Sequence, residues 1–300
     1  MIGAIEVGII YGVMALGVYL TFRVLNFPDL TVDGSFTTGA ATAAVAILAG
    51  WSPVVATLAG FATGAVAGFI TGVLHTKGRI DGLLAGILTM IGLWSVNLRI
   101  MGSSNAPLLR EATVFTPLDD AGLLGSWVSV AVLATAVLLL GLLVIWFLHT
   151  NLGLALRATG DNGPMITSFG VSTDFTKTLT LSLSNGLVGM CGALVAQYQG
   201  YADISMGIGL ILIGLASVIL GQAIFGQRRL WVAVLAVIFG ALMYRFIIYA
   251  ALAVGLNPND MKLISAILVI IALLVPRWRS VLGSFGKRPA ISAAGAGKGN

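Results

Sequence analysis

Apolar runs near 20 residues long recur through the chain, and the short polar stretches between them carry most of its charge. A run of that length spans the hydrocarbon core of a bilayer as a helix. The alternation predicts nine spans: Ile2 to Phe22, Ser35 to Gly50, Pro53 to His75, Gly82 to Met101, Trp127 to His149, Lys177 to Gln199, Gly207 to Phe225, Trp231 to Val254 and Met261 to Pro276. The second and seventh are short for a span. The polar residues before each, "NFPDLTVDGSF" (Asn26 to Phe36) and "YADISM" (Tyr201 to Met206), are therefore assigned to broken or re-entrant helix, which is tolerated at membrane depth only where protein or a cavity satisfies the freed backbone groups.

Composition settles the class. With 58% hydrophobic and 9% charged residues over 300 positions and a mean hydropathy of +1.02, the chain has more apolar surface than one soluble core could use. The expected fold is an all-α polytopic membrane protein, with a single membrane domain over residues 1–280. The one cysteine, Cys191, excludes an intrachain disulfide and a multi-cysteine metal site. No cleavable signal is expected, because the first run lacks a basic leader. Orientation follows from Lys and Arg. With the N-terminus outside, Arg23, Lys77, Arg79, Arg157, Lys177, Arg228, Arg229, Arg277, Arg279, Lys287, Arg288 and Lys298 fall on the cytoplasmic side, against Arg99, Arg110, Arg245 and Lys262 elsewhere. The C-terminus is then cytoplasmic, and residues 281–300 read as a disordered tail.

Comparing the chain with itself exposes a repeat. "FPDLTV" (Phe27 to Val32) matches "YADISM" conservatively at every position except Pro28/Ala202, an offset of 203 − 29 = 174, and at that offset Gly12 meets Gly186 and Leu20 meets Leu194. An offset spanning five helices, an odd number, turns the second half over. The reading is an inverted repeat of helices 1–4 (residues 1–101) and 6–9 (residues 177–280), joined by a connector (102–150) and a cytoplasmic segment (150–176). Such repeats place a solute route at their interface and alternate access by moving one half against the other, so transport is the leading class.

Energy for transport must come from elsewhere. No G-x-x-x-x-G-K-[ST] phosphate loop exists, and "GSFGKR" near the tail has the wrong spacing. His75 and His149 stand alone at helix ends, without the partners that zinc or acid–base chemistry needs. The chain is therefore not expected to be an enzyme or to hold a metal or cofactor. Between the repeats, Leu152 to Thr159 predicts a short surface helix stopped by Gly160 and Pro164, with Arg157 and Asp161 one turn apart. A partner there could push both halves at once.

These residues carry a resemblance. "GLALRATGDN" followed by "SFGV" resembles the coupling segment of bacterial ATP-binding-cassette importer permeases of the branched-chain amino acid and ribose type. "DLTVDGS" is similar to a stretch in the sugar members, and "GLLAGILTMIGLWSVNLRIMG" with "ASVILGQAIFG" resembles a subgroup for amino-acid-like, in some cases aromatic, solutes. The likeness runs from Met1 to about Arg279, although "LGQAIFGQ" lacks the double glycine of many sugar permeases. It implies a vitamin B12 importer-like architecture without that fold's first helix, in the bacterial cytoplasmic membrane. It also implies a second permease copy, cytoplasmic ATP-binding subunits that carry ATP and magnesium, and an extracytoplasmic solute-binding protein, with no nucleic acid involved. On that basis Gly153, Leu156, Arg157, Ala158, Gly160 and Asp161 are the coupling candidates.

Residue by residue, Pro28, Asp29, Asp33, Gly34 and Asp203 are gate or helix-break candidates, with Asp29 and Asp203 as symmetry twins on opposite faces. Glu6 is expected to pair with Arg245 or Arg99 at an outer gate, while Arg99 can equally snorkel to the interface. Thr178, Ser182 and Asn185 share one face of their helix with Gly189 and Gly192, which either lines the route or packs helices. Gly60, Gly64, Gly68 and Gly72 read as a packing ladder. Trp51, Trp94 and Tyr201 fit an interface belt. An ion-coupled secondary transporter and a non-transporting scaffold are the rivals. The first requires a carboxylate near mid-depth, whereas Glu6, Asp29, Asp33 and Asp203 are all placed at span ends.

Overall fold

The computed structural model describes residues 1–109, 111–227, 229–255, 263–271 and 274. The helices are α1 (Ile2–Tyr19, continued by a π turn over Leu20–Val24), α2 (Thr31–Leu48), α3 (Pro53–Thr76), α4 (Gly82–Met101), α5 (Thr116–Asp120), α6 (Trp127–His149), α7 (Asn151–Ser168), α8 (Thr173–Gln199), α9 (Leu210–Phe225) and α10 (Leu230–Ala253). Residues 263–271 are also helical. Among the described residues, six helices are long and apolar enough to cross a membrane: Ile2–Val24, Pro53–Thr76, Gly82–Met101, Trp127–His149, Thr173–Gln199 and Leu230–Ala253. The two spans expected to be short correspond to α2 and α9, of 18 and 16 residues. The ninth, Met261 to Pro276, lies largely outside the described residues, as does the tail.

The helix ends follow local chemistry. Asp81, Ser126, Thr150 and Ser172 each cap the helix they precede by accepting an N–H from its first turn. Gly102 and Gly200 end α4 and α8 in the left-handed conformation. Just beyond those two glycines the chain runs extended, and the all-α expectation needs correction. β1 (Asn105–Pro107) and β2 (Tyr201–Asp203) pair antiparallel, with Ala106 opposite Ala202. Both alanines are buried, so the ladder satisfies backbone groups that no helix could there.

The bundle is built around α1 and α8. Both are 72% buried, against 28% for α4 and α6, whose exposed leucines, valines and isoleucines form an outer apolar surface suited to lipid. The glycine ladder packs, as its spacing predicts. A Cβ on Gly60 would meet Ala193, and one on Gly72 would meet Thr178, while Gly64 and Gly68 lie against the carbonyls of Asn185 and Leu181. The face of α8 carrying Gly189 and Gly192 likewise seats on Gly60 and Gly64 and on Phe36. Exposed tryptophans sit at both ends of the bundle, Trp51 and Trp127 towards the sheet and Trp146 and Trp231 towards α7, where amphipathic rings favour a membrane interface.

The segment between the repeats differs from its prediction. Gly160 does not stop the helix. α7 runs from Asn151 to Ser168 with a kink at Asn162 (φ −156°, ψ 86°). Asn162 accepts the N–H of Met165 at 3.1 Å and so caps a second short helix, in which Pro164 occupies an early position where its missing N–H costs nothing.

Candidate functional site

The two polar stretches use the same local turn. Asp29 Oδ1 accepts the N–H of Thr31 at 2.9 Å, and Asp203 Oδ1 accepts the N–H of Ser205 at 2.8 Å. An aspartate bonding the backbone two residues on is a stable way to leave a helix or strand. Their surroundings differ. Asp29 is 3% exposed, and its Oδ2 accepts Asn185 Nδ2 at 2.6 Å. Asn185, 185 − 173 = 12 residues into the 27-residue α8, stands about 18 Å along that helix. Its Oδ1 accepts the Ser35 hydroxyl at 2.7 Å. Next to this group, the hydroxyls of Thr31, Thr71 and Thr89 link α2, α3 and α4 at 2.8 and 2.9 Å. Asp203 lies at the sheet and makes no bond to Asp29 among the described residues. Its Ser205 hydroxyl partner holds its carboxyl below the ordinary value of 3.8, against a smaller opposing effect of burial.

The contact between the two breaks is made instead by Asp33. From the first turn of α2, its Oδ2 accepts the N–H of Gly209 at 2.7 Å and its Oδ1 accepts that of Ile211 at 2.8 Å. The carboxylate thus caps α9, whose own preceding residue is Gly209 at φ +86° and has no side chain to offer. A negative group at a helix N-terminus is favoured by both the free N–H groups and the helix dipole. Gly207 touches the Asp33 carbonyl, so the chain descends from the sheet to reach this point. A Cβ on Gly34 would meet Met90 and Leu93, which places the junction at the middle of α4. The breaks begin at opposite ends of the bundle and meet inside it.

A cavity of about 400 Å³ opens beside the junction, lined by Asp33, Thr37, Met90, Trp94, Asn97 and Ile208 among others. Asn97 is 1% exposed, and its side-chain oxygen is buried without a hydrogen-bond partner. Trp94, exposed as an interface residue would be, also lines this cavity. Asn97 was missed by sequence reasoning, although an amide inside an apolar span was the available signal.

Other expectations need revising. Glu6 is fully buried but pairs with neither arginine. It accepts from Gly125 N at 3.0 Å, from Tyr198 Oη at 2.7 Å and from the Ser129 hydroxyl. Arg245 instead lies 4.3 Å above the Tyr11 ring, a cation–π contact, and its Nε is buried without a partner. Arg99 is exposed, in keeping with snorkelling. Ser182 donates to the Ala65 carbonyl at 2.8 Å and so joins α8 to α3. Of the carboxylates placed at span ends, Glu6 stays at the start of α1 and Asp203 at the sheet, whereas Asp29 and Asp33 lie against the middles of α8 and α4. Glu6 and Asp29 are buried and Asp33 is half-buried, each held by donors of its own chain. No group of three metal-ligating side chains occurs among the described residues.

At the other end of the bundle, α7 seats directly on α1. Gly160 lies against the Val24 carbonyl and Leu25, and Leu156 and Gly153 are buried, with Ala158 half-buried. Arg157 and Asp161 form no ion pair among the described residues. They face a polar cavity of about 300 Å³ shared with Tyr19, Arg23, Gln222 and Gln227. The exposed large apolar residues of this segment are Leu152, Leu154, Met165, Phe169 and Phe175. Gly160 therefore connects α7 to the turn that leads, five residues past Val24, to Asp29. Pro28 is exposed and Gly34 buried on either side of the break.

Comparison with known proteins agrees with this architecture. The family described as "Branched-chain amino acid transport system / permease component" matches residues 1–274. The tyrosine transport system permease protein of Clostridioides difficile (strain R20291) is 42% identical over 271 residues, covering 90% of this chain and 89% of that protein. Protein RP368 of Rickettsia prowazekii (strain Madrid E) is 35% identical over 279 residues, 91% of this chain and 96% of that one. The ribose import permease protein RbsC of Escherichia coli (strain K12) is 26% identical over 271 residues, 88% and 81% of the two chains. No solved structure matches. With 274 residues matched and helices fit to cross a membrane, the chain belongs to the permease-component family of branched-chain amino acid transport systems.

Proposed function

We propose that this chain is the membrane subunit of an ATP-driven importer in the bacterial cytoplasmic membrane, passing an amino acid or related solute, with aromatic amino acids the first to test. It works as a pair of permease copies. ATP-binding subunits dock at the α7 end, and a solute-binding protein delivers at the sheet end. The observation that carries this reading is the junction at Asp33, where both broken segments meet beside a partly polar cavity. Moving α9 relative to α2 would break the cap on Gly209 and Ile211 and reshape that cavity in one step. Supporting the inverted repeat, each half runs in the same order: long helix, Asp-initiated turn, short helix, then a helix of 24 residues. The lysine and arginine bias supports α7 as cytoplasmic, and Gly160 on the Val24 carbonyl gives a partner at α7 a direct hold on the first break.

The test is reconstitution with the products of neighbouring genes. Uptake of tyrosine or phenylalanine that needs ATP, the ATPase and the binding protein supports the reading. Asp33→Asn, which keeps the shape but one acceptor fewer, should cut uptake at least about tenfold while the complex still assembles. Uptake by the chain alone under an ion gradient would instead favour the secondary-transporter reading, for which the buried carboxylate Asp29, against the middle of α8, is the specific observation.

A further inference from the structure

We infer that the polar cavity between α1, α7, α9 and α10 holds a phosphate-type oxyanion, either a lipid headgroup phosphate or free phosphate. Gln222 is the key residue. It is 6% exposed, and its Oε1 accepts the Nε–H of Arg23 at 2.8 Å. That bond fixes which way the amide points and leaves Nε2 buried with no acceptor. A buried donor left unmade is unfavourable, and this one lines a space open to a ligand.

The rest of the lining fits an anion. Arg157 contributes a guanidinium that pairs with no carboxylate among the described residues, and Arg23, which donates to the side chains of Gln222 and Gln227, a second one. Leu230, the first residue of α10, also lines the space, and this 24-residue helix has no side-chain cap at its N-terminus. Helix N-termini and arginine forks are the two protein devices best suited to phosphate oxygens. Asp161 is the one opposing carboxylate among the described lining residues; it and Arg23 are exposed and Arg157 is half-buried, so the two guanidinium groups outweigh it by number. A cation would face two arginines, and a neutral solute would leave both charges uncompensated. Exposed Trp231 and Trp146 at this end of the bundle set the cavity at the depth where headgroups lie. An anion bound there would tie α7 to α1, α9 and α10. The inference does not require the transport reading.

The test uses the purified full chain in a neutral detergent, with thermal unfolding followed against phosphatidylglycerol or phosphatidylcholine, and against sodium phosphate or chloride at matched ionic strength. The expected result is stabilisation by phosphatidylglycerol or by phosphate. Its apparent affinity should weaken at least about tenfold in Arg157→Gln and Gln222→Glu and tighten in Asp161→Asn. A response to phosphatidylglycerol alone assigns a lipid headgroup, and a response to phosphate assigns the free ion. Equal responses to both lipids and both salts, or the same affinity in all three variants, would overturn the site. Should either weakening variant fail to fold, the opposite sign in Asp161→Asn still decides.

Discussion

Asp29 shows how one side chain turns a polar oddity into structure. Its two oxygens are committed to different donors, the Thr31 amide and the Asn185 side chain. Asp29→Asn keeps one acceptor but sets an NH₂ against an NH₂, so it should destabilise by about 1–3 kcal/mol, read as a lower unfolding temperature. Adding Asn185→Asp restores donor to acceptor and should recover part of that loss. Its counterpart Asp203 makes the same turn in the open, and here the consequence is a pH effect. Because the folded carboxyl is held below its ordinary value of 3.8, its contribution is fully present above that value and is lost as the pH falls through the lower folded one. The unfolding-temperature gap between the native chain and Asp203→Asn should therefore close on acidification, and a gap that widens would refute the assignment.

α7 joins its end of the bundle by close approach at Gly160. A Cβ there would strike the Val24 carbonyl, whereas one on Gly163, past the kink, would meet nothing within 4 Å. Gly160→Ala should cost about 1–3 kcal/mol through overpacking, and Gly163→Ala should change stability by less than about 0.5 kcal/mol. Equal melting of the two variants would mean that α7 does not rest on α1. If α7 is also the coupling element, Gly160→Ala should lower uptake for each ATP hydrolysed and Gly163→Ala should not. A short helix was expected here from Leu152 to Thr159, but its end was misplaced. Gly160 and Pro164 both read as breakers, and only the cap that Asn162 gives Met165 puts the break between them.

The whole molecule is arranged so that two chain breaks, 174 residues apart in sequence, share one carboxylate and one cavity. Asn97 borders that cavity with its oxygen unpaired, a local cost that a purely structural position would not retain. Asn97→Leu removes the unpaired group and should raise stability by about 1–2 kcal/mol, while solute uptake by the reconstituted complex should fall. A loss of both would make Asn97 a structural residue, and unchanged uptake would take the solute route elsewhere. Opposed shifts in stability and function mark a group kept for a ligand.

Much was legible in the order of residues because it depends on local physics. Span length and the glycine ladder each follow from a few neighbouring positions and one solvent boundary. The matching turns at Asp29 and Asp203 were visible for the same reason, since both are made within three residues. What stayed hidden were the pairings across the bundle: Glu6 with Tyr198 and Gly125 instead of an arginine, Arg245 on Tyr11, and Asp33 on α9. Buried polar groups must find a partner, and several were chemically available to each. Which one is met depends on helix rotation and depth, which the packing of glycine faces sets only once all the helices are in place.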